Sequence, residues 1–231
     1  MIKVELKHKP KNIFALIDDF ASVCYDSTPK NEGVIAFDCI ESEHWQAAEC
    51  NRFVFHISGI SRACSHQIVR HRTSVICQRS QRYVSEGGFE YVIPDSIKKN
   101  PKTLDEYENL MNTIDDVYLY LTKCGVPKED ARFVLPNACE TELNIAIDLH
   151  NFIHFENLRL CNRAQWEIRK VAELMRDAVI KEEPRLKKYI VPKCEIHEIP
   201  YCTEKKSCKM HKRLNDIVKD EYKKIKAVEN I

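Results

Sequence analysis

The sequence predicts an α+β fold. Its longest apolar patterns carry the helical period, and two stretches alternate with the period of strands. The two kinds do not alternate as βαβ units would. At 231 residues and 44% hydrophobic content, the chain is long enough to bury a core. One principal domain over residues 1–192 is expected, followed over 193–231 by a cysteine-containing extension with a charged helix.

Taken in order, Lys11 to Cys24 places Ile13, Leu16, Ile17, Phe20 and Val23 at three- and four-residue spacing, which predicts an amphipathic helix with these five on its apolar face. Tyr25 to Pro29 reads as a loop from its turn residues. Gly33 to Ser42 fits either period, and a helix is the preferred reading. Arg52 to Ile60 alternates as a strand, with Phe53, Phe55 and Ile57 on one side and Gly59 near its end. Ser61 to Arg72 contains no breaker and predicts a helix, which sets a basic cluster at its C-terminus, the negative end of the dipole.

Ser85 to Gly88 is a turn. Thr103 to Cys124 predicts a long helix with Tyr107, Leu110, Met111, Val117 and Tyr118 on its apolar face and Gly125 as its stop. Pro127 opens a short helix ending near Pro136. Thr141 to Leu149 predicts a second strand, since Leu143, Ile145 and Ile147 alternate with polar or small residues. Helices over Asn151 to Leu160 and Arg163 to Lys181 follow, and a charged one over Lys212 to Glu229 closes the chain.

Charge and composition exclude several function classes. With 36 basic against 35 acidic residues, no global field draws the chain onto nucleic acid or an anionic membrane. No stretch has the roughly 18–20 consecutive apolar residues of a membrane span, and Met1 to Glu5 lacks an apolar signal run. A cytoplasmic protein is expected. Eleven scattered cysteines, an odd number, read as reduced thiols. Five glycines, at 33, 59, 87, 88 and 125, rule out both a G-x-G-x-x-G turn and a phosphate loop. Any bound phosphate must be held by side chains.

The run Arg70-His71-Arg72-Thr73-Ser74-Val75-Ile76-Cys77-Gln78-Arg79-Ser80-Gln81-Arg82-Tyr83 supplies such side chains. Guanidinium forks match phosphate, and hydroxyls complete a shell; a solvated basic helix face is the bland alternative. Arg-His-Arg, seven residues, then serine resembles the signature of the flavin-dependent thymidylate synthases. Gln81-Arg82-Tyr83, Ala131 to Pro136 and Leu158-Arg159 with Asn162 to Arg169 are similar to further segments of that family, as are His44, Glu49 and Phe53 to Ile57.

The resemblance implies a small, mainly antiparallel sheet flanked by long helices, and a homotetramer with shared active sites. It implies methylation of dUMP using 5,10-methylenetetrahydrofolate, with NADPH and FAD as cofactors. Arg70, His71, Arg72, Gln78, Asp148, His150, His154 and Gln46 would face FAD. Gln67, Arg70, Gln78, Arg79, Ser80, Gln81, Arg82 and Arg132 would hold dUMP. Arg159 would face the uracil ring as the catalytic group, where a guanidinium favours the deprotonated, electron-rich ring. Ser80 lacks an evident base partner and is assigned to phosphate rather than to nucleophilic attack. No partner nucleic acid or membrane is expected.

The chain departs from the family at Cys77, where Asn is common, at Gln78, where Glu is common, at Asp148 and His150 in place of an Asn/Arg pair, and at His154 in place of Asn. Two alternatives follow: a related flavoenzyme acting on another pyrimidine nucleotide, and an RNA- or single-strand-binding module stacking bases on Tyr83 and Phe89. Cys194, Cys202, Cys208 and His211 have zinc-ligand chemistry, but their C-x7-C-x5-C-x2-H spacing lacks a C-x2-C knuckle, so free thiols and no metal are expected. Trp166 is expected in the core.

Overall fold

The computed structural model describes residues 1–229, apart from the side chains of Tyr25 and of 224–229. In chain order its elements are β1 (Lys3–His8), α1 (Ile13–Ser22), α2 (Val34–Glu41), β2 (Arg52–Ser61), α3 (Arg62–Ile68), β3 (Val75–Gln78) and α4 (Asp95–Lys98), then α5 (Pro101–Lys123), α6 (Lys128–Ala131), β4 (Glu140–Asp148), α7 (Leu149–Arg159), α8 (Trp166–Glu182) and α9 (Leu214–Glu229). Short 3-10 turns cover Trp45–Cys50, Arg132–Val134 and Lys193–Glu195, among others. No helix among the described residues is long and apolar enough to cross a membrane.

The chain groups into two compact units, Met1–Lys9 with Phe53–Ile147 and Pro10–Arg52 with Asp148–Ile231. The first is built on a four-stranded sheet of order β1-β2-β4-β3, in which β1 pairs antiparallel with β2, and β3 with β4. Alternation decides which side chains it buries: Phe53, Phe55 and Ile57 from β2, and Leu143, Ile145 and Ile147 from β4, all within 2% of full burial. Helix α5 adds Met111 and Tyr118, whose hydroxyl accepts from the Glu86 N–H at 3.2 Å.

Several sequence expectations are corrected in this unit. Strands β1 and β3 were not expected; both are edges, and neither buries a residue fully. Helix α3 ends at Ile68, so the basic cluster follows its last turn instead of forming it. On α5, Leu110 and Val117 face solvent, and the residues it buries fully are Met111 and Tyr118.

In the second unit, Asp18 of α1 is buried, and its carboxylate accepts from the Gly33 and Ala36 N–H groups, which fixes the start of α2. The buried face of α1 is Ile13, Phe14, Ile17 and Ala21, whereas Leu16, Phe20 and Val23 are exposed, a rotation from the expected face. Phe152 and Phe155 of α7 and Ile168, Val171 and Met175 of α8 complete this core. Trp166, expected in the core, is the first residue of α8 and is 41% exposed, since an N-terminal helical residue has no preceding turn to pack beneath it.

Candidate active site

In the first unit, Ser61 caps α3 by accepting the Cys64 N–H at 3.0 Å, and the helix then projects Arg62 and His66, one turn apart, with Gln67 beside them. The chain leaves α3 through a turn in which His71 N–H donates to Ile68 O at 3.1 Å and Ser74 N–H to His71 O at 3.1 Å. This leaves Arg70 and Arg72 exposed and His71 half-buried.

The chain then enters β3. Gln78 donates to Ser65 Oγ at 2.8 Å and to Thr141 Oγ1 at 3.2 Å, so its amide ties the strand to its neighbours. Arg79 Nε donates to the buried Glu86 carboxylate at 3.2 Å. Ser80 Oγ accepts from the Arg82 N–H at 3.2 Å, and the Arg82 guanidinium pairs with Glu129 at 2.8 Å. Glu129 O in turn accepts from Arg132 Nε at 3.0 Å.

These bonds shape a cavity of about 250 Å³ lined by Arg62, His66, Gln81 and Arg132, with Phe133 and Pro136 on its apolar side. Burial is the largest influence on Arg62 and lowers its pKa from the ordinary guanidinium value; Cys139 and Glu86 oppose it and Arg132 adds to it. Its Nη1 reaches Arg79 O across 3.4 Å. A partly desolvated guanidinium on such a wall is stabilised by an anion, and a cavity lined by two arginines, a histidine and an amide suits one. Sequence reasoning missed Arg62 and His66. Their signal was the four-residue spacing on a helix already expected there.

In the second unit, Trp45 stacks on His150 with ring centroids 5.1 Å apart and planes 6° from parallel, and His150 Nδ1 lies 3.0 Å from Glu49 Oε1. Both rings line a cavity of about 560 Å³ together with Gln46, His44 and Phe20. Asp148 is buried and caps α7 by accepting the Asn151 N–H at 2.9 Å. His154 lies one turn on; desolvation, then His150 and Lys193, hold its imidazole below the ordinary value, although its outer face is open. Arg159 ends α7 and lines a separate cavity of about 300 Å³ with Asn157, Asn162 and Arg163.

The structure therefore brings Gln81 together with Arg132, and Gln46 with His150. It commits Gln78 and Asp148 to structural bonds and sets Arg159 in a cavity of its own.

Residues 5–185 match the family described as thymidylate synthase complementing protein. The chain is 40% identical over 185 residues to a flavin-dependent thymidylate synthase of Saccharolobus solfataricus, covering 79% of this chain and 69% of that one. It is 48% identical over 136 residues to another of Geobacter sulfurreducens, covering 58% and 59%. The matched stretch thus spans about three fifths of the Geobacter protein. In fold it is similar to a UMP/dUMP methylase of Streptomyces cacaoi, solved with 5-Br dUMP, at a TM-score of 0.71 and 21% identity, covering 82% of this chain and 94% of that one.

Proposed function

The chain belongs to the thymidylate synthase complementing protein family, among relatives that are flavin-dependent thymidylate synthases, and from that membership we propose that it methylates dUMP to dTMP. The carbon donor is 5,10-methylenetetrahydrofolate and the reductant NADPH, acting through FAD. The observation that carries this reading is the cavity walled by Arg62, His66, Gln81 and Arg132. Its donors are arranged for a nucleotide phosphate, in a chain without a glycine-rich phosphate loop.

Around that cavity, Gln67, Ser80 and Arg82 hold and orient dUMP, with Arg70 and Arg79 supporting its charge. Arg159, supplied from another subunit of a shared site, faces the uracil ring, where its positive charge favours loss of the ring N–H proton and raises the electron density at C5. The flat, stacked pair of Trp45 and His150, with Gln46 on the same wall, has the chemistry to hold an aromatic heterocycle. By the resemblance, Arg70, His71 and Arg72 also contact FAD. When bound, FAD carries hydride from NADPH to the transferred carbon. Asp148, Gln78 and His154 support this side.

Residues 1–192 act as the catalytic domain and 193–231 as an extension, in a homotetramer with shared active sites. A cytoplasmic setting suits cysteines that form no disulfide among the described residues. A second reading keeps the flavin and changes the pyrimidine nucleotide. It is favoured by Gln78, a neutral amide bonded to Ser65 and Thr141 where the family often has glutamate.

The test is optical and then chemical. Purified protein should show a flavin spectrum or acquire one with FAD, dUMP should perturb it, and labelled methylenetetrahydrofolate should yield labelled dTMP. A colourless protein that neither binds FAD nor oxidises NADPH overturns the proposal. Label appearing in another pyrimidine nucleotide selects the second reading.

A further inference from the structure

Beyond Arg159 the chain turns through Leu160, Cys161 and Asn162, and after α8 it reaches the 3-10 turn Lys193–Glu195. The stretch 196–213 that follows has no fully buried side chain, yet it is folded back on itself. Tyr201 N–H donates to Cys194 O at 3.0 Å, Cys202 N–H donates to Lys212 O at 2.8 Å, and Cys202 forms a bridge with Arg213. A run of this length without an apolar core needs a cross-link to hold one conformation.

The fold-back gathers sulfur. Cys161, Cys194, Cys202, Cys208 and His211 all line the cavity of about 300 Å³ at the end of α7. The Cys194 thiol, a Glu195 carboxylate oxygen and a His211 ring nitrogen lie within 4.8 Å of one another. His211 Nε2 lies 3.2 Å from Glu195 Oε1, the carboxylate contact that fixes the ring of a metal-bound histidine and leaves Nδ1 for the ion. Cys208 is exposed at the rim, where its sulfur accepts from Asn162 Nδ2 at 3.9 Å.

We propose that Cys161, Cys194, Cys202 and His211 bind one divalent soft cation, zinc by its chemistry, which staples the C-terminal segment to the turn after α7. The linear spacing argued against a metal because it lacks a C-x2-C knuckle, whereas the fold brings Cys161, more than thirty residues earlier, to the same cavity. Three thiolates and one imidazole make a tetrahedral set, with Zn–S near 2.3 Å and Zn–N near 2.0–2.1 Å. Each binding thiol releases its proton to solvent, and the resulting complex carries one negative charge.

The full-length protein should purify with about one zinc per chain. Cobalt exchanged into it should give the intense visible bands of a tetrahedral thiolate complex. Cys194→Ser and Cys202→Ser should each weaken zinc binding at least tenfold, whereas Cys208→Ser and Cys124→Ser should keep it. If a serine variant does not fold, the wild-type chain still decides: chelator should expose three further thiols to a colorimetric reagent. Absence of stoichiometric zinc and of the cobalt bands overturns the proposal. So does a disulfide among these cysteines, an iron–sulfur chromophore, or loss of the metal in Cys208→Ser. None of these readouts depends on the enzymatic activity.

Discussion

Glu156 lies on α7 with both carboxylate oxygens buried and without a hydrogen-bond partner. Burial raises its pKa well above the ordinary value; Arg176 opposes the shift and Asp177 adds to it. The folded state thus keeps a proton that the unfolded chain releases near pH 4.3, and stability falls as pH rises from there through the raised folded value. Glu156→Gln should therefore stabilise the protein at pH 8 by on the order of 1–3 kcal/mol, and change its stability little at pH 4. Thermal unfolding at the two pH values checks this, at roughly 2–4 °C per kcal/mol. Under the proposed reaction, Arg62 and Arg159 would separate binding from chemistry. Arg62→Ala should weaken dUMP binding roughly tenfold to a hundredfold, the worth of a charge-assisted bond. Arg159→Ala should lower kcat far more than it weakens binding, and titration of the flavin spectrum alongside turnover distinguishes the two.

At the level of elements, Gly59 fixes how β1 joins the sheet. Its φ is +69°, and a Cβ there would run into the Met1 carbonyl. Gly59→Ala should then destabilise the protein by more than about 1 kcal/mol, read as an earlier denaturant midpoint with an unchanged m value. The elements that showed in the sequence are those whose own period reports their burial. Helices α7 and α8 and strands β2 and β4 repeat against a core they reach by themselves. Strand β1 reads Lys3-Val4-Glu5-Leu6, charged at every second position, and becomes a strand only by pairing with residues around Phe55 and Ile57. Four-residue β3 is hidden inside the arginine run for the same reason. The exposed Leu16, Phe20 and Val23 show the converse, an apolar period with no buried counterpart among the described residues. The site divides likewise: the arginines were visible as a motif, whereas Arg62 and His66 needed a helix direction to join Gln81 and Arg132.

For the molecule as a whole, the proposed homotetramer with shared active sites would make activity depend on assembly. Specific activity should drop on dilution in parallel with a sedimentation mass falling toward the 27.0 kDa of one chain. Mass loss without activity loss would show that each chain works alone. The interleaving of the two units has a further consequence, for the order in which the chain becomes structured on the ribosome. The second unit is made of Pro10–Arg52 and Asp148–Ile231, and it is held by bonds such as Glu49 to His150, 101 residues apart, and Leu149 N–H to Asn51 O. Its first half therefore leaves the ribosome with Phe14 able to pack on Phe37 but without the Arg185 guanidinium that covers its ring, and waits while the whole of Phe53–Ile147 is translated. At roughly 5–20 residues per second that delay lasts several seconds, during which the half-built unit is open to chaperones.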